Sequence, residues 1–448
     1  MLESSSLINA VREVTDTRTP LPQYRYGVSV RLPDGKELVP LRVVSTDLGR
    51  DYLKTFADDL YVSVVFGVGT YSKYIYANKE RLTVFLSREV IGDSVEAADE
   101  PIITREYKAV LCESKDIAAA SGSGILDNPE VADTANIAMV RFQLIDRVTE
   151  WMRSVSVGGS FRKRTAAEVL LTLLTSKTQE VPREIVGELG RVDMVPANNT
   201  ERRDHIVIPH ATPLVEVGDF LQEKCGGIYS TGLGIYLLSG DWYVWPALNT
   251  KRFEDSPRGL TVINVPEDKM PSIERTWLQK GNQLIVLSTG RTDITDLSDK
   301  AKLDQGIGIR FNDAKDMLDG FVSTAGNIAK AARGKNVTEV LIDAAVDGLA
   351  HITRSSNKVS SNLFAELSTT AFRKGNNVTA TWENSDHSLL YPGMPVRFMY
   401  EFENQVRTRY GTLVGDQHFI SMEGKGGTSQ RFKSNTALYL FLDKEEGS

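Results

Sequence analysis

Histidine and aspartate pairs are the first places in this 448-residue chain where chemistry could reside. His205 and His210 are five residues apart on a segment, 206–209, whose pattern predicts a strand, and an odd spacing places the two rings on opposite faces. A shared metal ion is therefore not expected at this pair. Asp386 and His387 are adjacent and could act as acid and base, but they lie in a polar stretch typical of a turn. Because the chain also lacks a G-x-S-x-G nucleophile motif, we expect no catalytic triad.

Two other segments approach known ion-binding patterns without completing them. An acidic run has three-residue spacing and lacks the internal glycine of a calcium loop, which favours a solvated loop or a helix start. Its members are Asp293, Asp296, Asp299 and Asp304. The segment 424–428, Gly-Lys-Gly-Gly-Thr, lacks the first glycine of a phosphate-binding loop and precedes a strand pattern. We interpret it as the mobile tip of a hairpin.

The compact basic cluster Arg162-Lys163-Arg164 and the two cysteines also have simple interpretations. Three like charges at the start of a helix are usually solvated, with contact to phosphate or to an acidic partner surface as the alternative. Cys112 and Cys225 have no second thiol or paired histidine nearby, which predicts two buried, reduced thiols. We therefore assign no catalytic, cofactor-binding or metal-binding residue, and we expect no cofactor and no enzymatic activity.

Composition limits the class of protein and its partners. A chain with 41% hydrophobic and 25% charged residues is typical of a folded globular protein, with length for about three domains. Its net charge of −7 disfavours tight binding of nucleic acid over the whole surface. The longest β-like apolar run, Leu60 to Val68, is too short for a membrane helix, and the N-terminus lacks an export signal pattern. These features predict synthesis in the cytoplasm and no membrane association.

The N-terminal part alternates as short strands do. Val28 and Val30, then Val39, Leu41 and Val43, flank a Pro-Asp-Gly turn and predict a hairpin. Further strand patterns follow at Leu60–Val68, 82–87 and 107–112. Closure or stacking hides strand edges, so we predict a first small β-barrel over residues 22–115.

A linker over 117–133 precedes a mixed strand and helix domain predicted at 134–211. Val140, Phe142 and Leu144 alternate as in a half-buried strand. Thr165 and Glu168 then form a capping-box pattern that opens an apolar helix.

A small α+β domain with an aromatic hairpin is predicted at 212–310. Thr212 as N-cap and Pro213 at the first helical position open a helix that Lys224 and Gly226 close. Two β-rich runs around Ser239-Gly240-Asp241 then form a hairpin. Alternation places Trp242 and Val244 on one face and Tyr243 and Trp245 on the other, which leaves core packing and a subunit interface as open alternatives.

The remaining chain divides into a helical and a strand-rich part. Residues 311–375 predict helices at Asp313–Arg333, Val337–Ile352 and Leu363–Phe372, and residues 376–446 predict the strands of a second small barrel. The stretches 27–32 and 393–398 share a Gly, a Val-Arg pair and a following apolar residue. We favour a chance match, with a duplicated barrel as the alternative.

The hairpin sequence GIYSTGLGIYLLSGDWYVWPALNTKRF resembles the hairpin region of baseplate hub proteins from contractile-tailed bacteriophages. The resemblance lies in sequence texture and element order over roughly two thirds of the chain. It implies an α+β fold with two tail-tube-like antiparallel β-barrel domains and mixed α/β and helical segments between them. It also implies a structural virion protein of the tail baseplate, assembled in the host cytoplasm as a homotrimer.

Such a trimer presents six similar barrels and can join a sixfold tail tube to a threefold central spike, beside other baseplate proteins. DNA would pass transiently through its channel, and the acidic excess leads us to expect carboxylates along the wall. Two alternatives remain open. One is a receptor- or glycan-binding tail module that uses exposed aromatics, and the other is a cell-wall hydrolase with two facing carboxylates.

Overall fold

Strands dominate the computed structural model of this chain. It describes residues 11–15, 23–91, 103–112, 138–185, 190–266, 275–295, 374–403, 405–423 and 431–444, and between 309 and 371 only 309–311, 328–333, 338–342, 364, 367, 368 and 371. One extended sheet holds 14 strands, and six of them close into a barrel. The fold is thus mostly β, with few helices in the described part.

The first β module is a curled antiparallel sheet. Its strands are β1 (Gln23–Arg31), β2 (Glu37–Leu38), β3 (Arg42–Asp51), β4 (Asp59–Phe66), β5 (Leu82–Ile91), β6 (Ile103–Leu111) and β7 (Ala138–Asp146). They are hydrogen-bonded in the order β2-β1-β5-β6-β7-β4-β3. Every second residue of β4 is buried, as its alternation requires, and β1 and β3 contribute to the same core. The sheet therefore wraps around one core, although β1 and β3 are not hydrogen-bonded to each other in the described residues.

Two details of this module differ from the sequence prediction. Val39 and Leu41 do not extend a hairpin; they are 76% and 67% exposed, and β3 pairs with β4 instead of β1. Strand β7, with Val140 and Phe142 buried as predicted, pairs with β4 and β6. Residues 138–146 thus complete the first sheet, because the apolar face of β7 matches the open positions of its core.

A helical layer with a small sheet follows. Its elements are α1 (Arg147–Ser154), β8 (Ser156–Arg164), α2 (Ala166–Gln179), β9 (Val192–Met194), β10 (Arg203–Pro213), α3 (Leu214–Lys224), β11 (Leu233–Leu238) and β12 (Asp241–Pro246). The Thr165 and Glu168 capping box is confirmed. The N-cap of α3 was predicted wrongly: Pro213 occupies it, and the Thr212 hydroxyl donates to the Pro209 carbonyl. At its other end Lys224 is the last helical residue, and Gly226 has the expected positive φ of 94°.

The hairpin β11–β12 lies between two cores. Ser239 and Gly240 form its turn with positive φ values of 54° and 90°, which suits a two-residue hairpin connection. Trp242 packs into the core of the helical layer, whereas Trp245 packs into the core of the second β module. Since both faces are covered, core packing is the role that the structure assigns to these two tryptophans.

The second β module is a closed six-stranded barrel. Its strands are β13 (Gly259–Val265), β15 (Gln283–Thr295), β19 (Gly375–Glu383), β20 (Pro395–Phe402), β21 (Gln405–Glu423) and β22 (Arg431–Asp443). A short strand, β14 (Trp277–Lys280), pairs with β15. The barrel therefore draws β13 and β15 from residues that the sequence pattern placed in the 212–310 unit. It is also not wholly antiparallel: β13 runs parallel to β15 and β20, because β14 returns the chain before β15 begins.

The predicted helices between residues 312 and 352 were partly wrong. The described backbone contains strands β16 (Ile309–Phe311), β17 (Ile328–Arg333) and β18 (Thr338–Ile342), which form a small antiparallel sheet. Thr338, Val340 and Ile342 are β-branched at alternate positions, and this pattern favours a strand over a helix. The described residues of the predicted helix Leu363–Phe372 are helical, at 364, 367, 368 and 371.

The two β modules share one strand order. Without β2 and β14, the first reads β1-β5-β6-β7-β4-β3 and the second β13-β20-β21-β22-β19-β15, so strands of equal rank in the chain occupy equal places. Five of the six keep their relative directions, and only β13 is reversed with respect to β1. Of the two similar sequence stretches, 27–32 lies mainly on β1, whereas 393–398 begins just before β20 and continues into it. β1 and β20 do not occupy equivalent places in the two modules. The similarity is thus a chance match, whereas the topological repeat is independent of it.

Strand β21 joins the two modules. It pairs with β20 up to Thr412, and from Gly415 to Ser421 it pairs with β3 of the first module. An added methyl at Gly415 would stand 2.6 Å from the Arg50 carbonyl oxygen, so only glycine allows this backbone approach.

We predict that Gly415→Ala destabilises the protein by about 1–3 kcal/mol, because the methyl forces the β3–β21 backbones apart. The free energy of unfolding from urea titration measures the effect. Gly49→Ala in β3 is the control, since its methyl would meet nothing nearer than 3.9 Å. Equal stability of the two variants would contradict the close approach.

Candidate functional site: the buried seam between the two modules

His387 begins a one-turn 3-10 helix, His387–Leu389, after β19, and Asp386 is its N-cap, in agreement with the predicted turn. The Asp386 carboxylate accepts hydrogen bonds from the Tyr24 hydroxyl at 2.8 Å and from the Ser388 hydroxyl at 2.5 Å. Arg88 adds an ion pair at 3.4 Å. Because Tyr24 and Arg88 belong to β1 and β5, this carboxylate ties the first module to the second.

His387 packs against His418 with ring centroids 4.1 Å apart. His418 is 2% exposed and its ring lies among hydroxyls: Thr436 Oγ1 is 2.7 Å and Ser385 Oγ 3.5 Å from Nδ1, and Ser434 Oγ is 3.4 Å from Nε2. We call Asp386, His387, His418 and these three hydroxyl residues the histidine cluster. The carboxylate is engaged by Tyr24, Arg88 and Ser388 and makes no hydrogen bond to His418, so the geometry differs from a Ser-His-Asp triad.

Burial lowers the pKa of both histidines. The pKa of His418 falls to about 3, first because of desolvation and then because Arg50 is nearby, with Asp386 opposing. The pKa of His387 is also well below its usual range through desolvation and the charge of His418. Both rings are therefore neutral at pH 7, which matches their place between hydroxyl groups.

A second polar group, the seam cluster, lies where β3, β21 and the hairpin meet. It consists of Arg50, Tyr52, Asp58, Tyr236 and Asp416. Arg50 donates to Asp58 at 3.0 and 3.3 Å, and its Nη1 is 3.8 Å from Asp416 Oδ2. Tyr52 donates to Asp416 at 2.5 Å and Tyr236 to Asp58 at 2.9 Å. Each carboxylate thus binds Arg50 and one tyrosine, and the cluster links three parts of the fold.

Burial sets the protonation of the seam cluster. Asp416 is fully buried, and desolvation raises its pKa to about 6, against the lowering effects of Arg50 and the Tyr52 hydrogen bond. Arg50 keeps its charge, since the two carboxylates outweigh desolvation and raise its pKa. Arg50 Nη1 and Asp416 Oδ2 have no hydrogen-bond partner within the described residues. The pair is therefore a costly buried interaction that depends on both charges being present.

Other sequence candidates are dispersed over the molecule. His205 and His210 are exposed on β10, and Arg162 and Lys163 are exposed on β8. Asp293 belongs to β15. Several other candidates fall outside the described residues. They are the remaining three aspartates of the acidic run, residues 424–428, the linker 117–133 and His351. Strands β21 and β22 pair as far as Glu423 and Arg431.

The two thiols differ from each other. Cys225 is buried as predicted, whereas Cys112 is partly exposed, and both are free. Among the residues that the structure describes, no three His, Cys, Asp or Glu side chains come together as metal ligands.

Sequence reasoning missed the seam cluster and the partners of His418. Arg50 and Asp416 lie in strands where a hydrophilic residue usually marks an outward face, and no local motif relates them. One signal was available: Asp416 follows the apolar pair Leu413-Val414 after a glycine. An acidic residue at a bulge in a buried strand indicates a specific partner.

Comparison with known proteins gives solved structures of tail components. No protein-family model and no curated protein matches the chain. The tail protein from Neisseria meningitidis MC58 is similar with a TM-score of 0.41 and 15% identity, over 93% of this chain and 96% of that one. The 43 kDa tail protein of prophage MuSo2 from Shewanella oneidensis gives 0.42 and 10%, over 93% and 96%.

An E. coli component of the type VI secretion system, described as structurally similar to the T4 bacteriophage tail proteins gp27 and gp5, is similar as well. It gives a TM-score of 0.39 and 9% identity, over 91% of this chain and 75% of that one. The solved structures that resemble this chain thus include phage tail proteins and a secretion-system component.

Within the described residues, none of the helices has the length and apolar character to cross a bilayer.

We predict that acid weakens the fold through His418. Its folded pKa of about 3 lies below the unfolded value of about 6.5, so the stability it contributes is complete above pH 6.5 and is lost as pH falls toward 3. The slope is about 1.4 kcal/mol per pH unit. His418→Gln should remove this slope from the unfolding free energy measured between pH 6 and 4. His205→Gln, on an exposed ring, is the control, and an unchanged slope in His418→Gln would refute the assignment.

We predict that Arg50→Met costs about 3–5 kcal/mol at pH 8, because two carboxylates then lose their buried counter-charge. Since the raised pKa of Asp416 makes its ionised form unfavourable, the loss should be smaller at pH 5 than at pH 8. The double variant Arg50→Met with Asp416→Asn should recover part of the lost free energy of unfolding.

The matched control is Arg31→Met, whose ion pair with Glu37 is about half exposed. It should cost less than about 1 kcal/mol. Chemical denaturation at both pH values distinguishes the variants, and a loss in Arg50→Met that does not depend on pH would contradict the role of Asp416.

Proposed function

We propose that this chain is a structural subunit of a phage tail baseplate, a homotrimeric hub that joins the sixfold tail tube to the threefold central spike. It would be assembled in the host cytoplasm and act in the virion beside other baseplate proteins. The role requires no reaction: it depends on shape, symmetry and the burial of large complementary surfaces.

The observation that carries this proposal is the repeated strand order. Two modules with equivalent strands lie in one polypeptide, and five of the six strands agree in relative direction. Three copies around an axis would place six similar modules in a ring. Such a ring meets a sixfold partner through its modules and a threefold partner through its subunits. The hairpin resemblance to hub proteins supports the same role.

The seam between the modules suits a ring of this kind. A pseudo-sixfold arrangement requires each subunit to hold its two modules at a fixed angle. Strand β21 pairs with both modules, and the seam and histidine clusters add buried polar contacts across the same junction. A continuous sheet with buried hydrogen bonds resists hinge motion far more than a flexible linker does.

Exposed apolar side chains support burial in an assembly. Val39, Leu41 and Val68 are 76%, 67% and 56% exposed, and Leu41 lies beside Gly67, the chain neighbour of Val68, with its Cδ1 3.9 Å from a methyl built on that glycine. Large apolar residues grouped on a surface commonly mark contacts with other proteins. We propose that neighbouring baseplate subunits cover them.

The net charge of −7 supports a channel that DNA crosses without adhering. Carboxylates along the wall would repel phosphates at close range, and salt would weaken that repulsion. The transient passage of DNA is in this view the only contact with nucleic acid.

We predict that the purified protein has three times the subunit mass of 49.6 kDa, and that any complex with its tube and spike neighbours contains three copies of it. Native mass spectrometry measures the mass, and electron microscopy along the rotation axis should show three subunits and six similar densities. If the trimer forms only together with its partners, the same imaging on isolated baseplates should show it. A particle without a threefold arrangement of this chain would end the proposal.

A further inference from the structure

A cleft of about 370 Å³ opens between the hairpin tip and the rim of the second barrel. It lies at the hairpin residues 238–243, the β14–β15 turn and residues 388–394. Its floor is apolar, formed by Leu284, Leu390 and Met394, which are all buried. A concave site with an apolar floor and polar walls is the usual form of a small-molecule site, and its size suits a ligand of one or two rings.

One wall of the cleft is aromatic. Tyr243 and Tyr391 stack with ring centroids 6.2 Å apart and an angle of 28° between the planes. Both rings are only half-buried. The Arg258 guanidinium lies 4.8 Å from the centroid of Tyr391, which fixes this ring in place. The wall therefore presents rigid aromatic surface with polar edges, suited to a ligand that has both C–H faces and hydroxyl groups.

Another part of the cleft lining carries amide side chains. Gln279 and Asn282 are exposed at the β14–β15 turn, and Gln283 begins β15. The Gln283 Oε1 atom is itself buried, so Gln279 and Asn282 are the amides of this wall that a ligand can reach. An amide offers both donors and an acceptor, which matches neighbouring hydroxyl groups of a ligand.

The charges around the cleft are compensated by protein groups. Arg258 forms an ion pair with Asp193 at 2.8 Å. The Asp241 carboxylate accepts from the Arg191 backbone amide at 2.7 Å and lies 3.9 Å from the Arg191 guanidinium. Without an uncompensated charge, the cleft has no preference for a phosphate or a free carboxylate. A neutral ligand is favoured.

We propose that this cleft binds a neutral saccharide of one or two pyranose rings. The apolar face of the sugar would rest on the tyrosine pair, and its hydroxyls would bond to Gln279 and Asn282. This property is separate from the proposed structural role, since the ring of subunits does not depend on it. It would allow the baseplate to contact glycans of the cell surface or of the cell wall.

The test is saturation-transfer NMR and calorimetry on the intact protein. Two probe sets separate the sources of sugar: glucose and galactose disaccharides represent surface glycans, and chitobiose represents the cell wall. We expect binding of at least one set with a dissociation constant of about 1 mM or below. The double variant Gln279→Ala with Asn282→Ala should weaken it about tenfold or more, because two hydrogen-bonding partners are lost.

Gln179→Ala is the matched control, since it removes an exposed amide at the end of α2, outside the cleft. All substituted side chains are exposed, and an unchanged thermal midpoint verifies folding. Binding that persists in the double variant, or no binding of either set at about 10 mM, overturns the proposal. Neither result bears on the trimer, which the mass measurement tests by itself.

Discussion

The pairing of β21 with β3 is the constraint on which the rest of the structure depends. One edge of β3 bonds to β4 and the other to β21, so β1 cannot pair there and the first module remains a curled sheet. The edge that would close the first module is thus used to connect it to the second. The connection leaves no free edge at β3, and free edges invite unwanted pairing. It also makes the two modules one hydrogen-bonded sheet, with Gly415 at the point where β21 changes partner.

The polar clusters explain why this connection has one register. A slip of β21 by one residue would turn Asp416 to the other face of the sheet and leave Arg50 without its second carboxylate. The same slip would move His418 out of its group of hydroxyls. Because an unpaired buried charge or polar group costs several kcal/mol, the clusters select the observed register even if they add little net stability. The seam and histidine clusters therefore specify how the two modules pack.

Local patterns in the sequence predicted those features of the fold that depend on residues close together in the chain. The alternation of β4 and β7, the capping box at Thr165 and the turn at Ser239 depend on neighbours in the chain, and the structure has them as expected. Barrel membership could not be predicted in this way. Strand β15 pairs with β19 and β13 pairs with β20, in both cases across more than 80 residues, and these pairings depend on matching apolar faces. The helix prediction for 328–342 was wrong for a different reason. The alanines of this segment favour a helix, whereas its alternate β-branched residues form a strand.

The reversal of β13 limits how similar the two modules can be. A strand that runs the other way presents different side chains and different backbone groups on the outer face, although the order of its neighbours is unchanged. A ring of three subunits would then alternate two related but distinct surfaces. That alternation would be sixfold in outline and threefold in detail, because the two modules share their strand order and five strand directions but differ in the direction of β13. A partner that contacts only the shared backbone shape of the modules would meet six equivalent positions. A partner that contacts specific side chains would meet three.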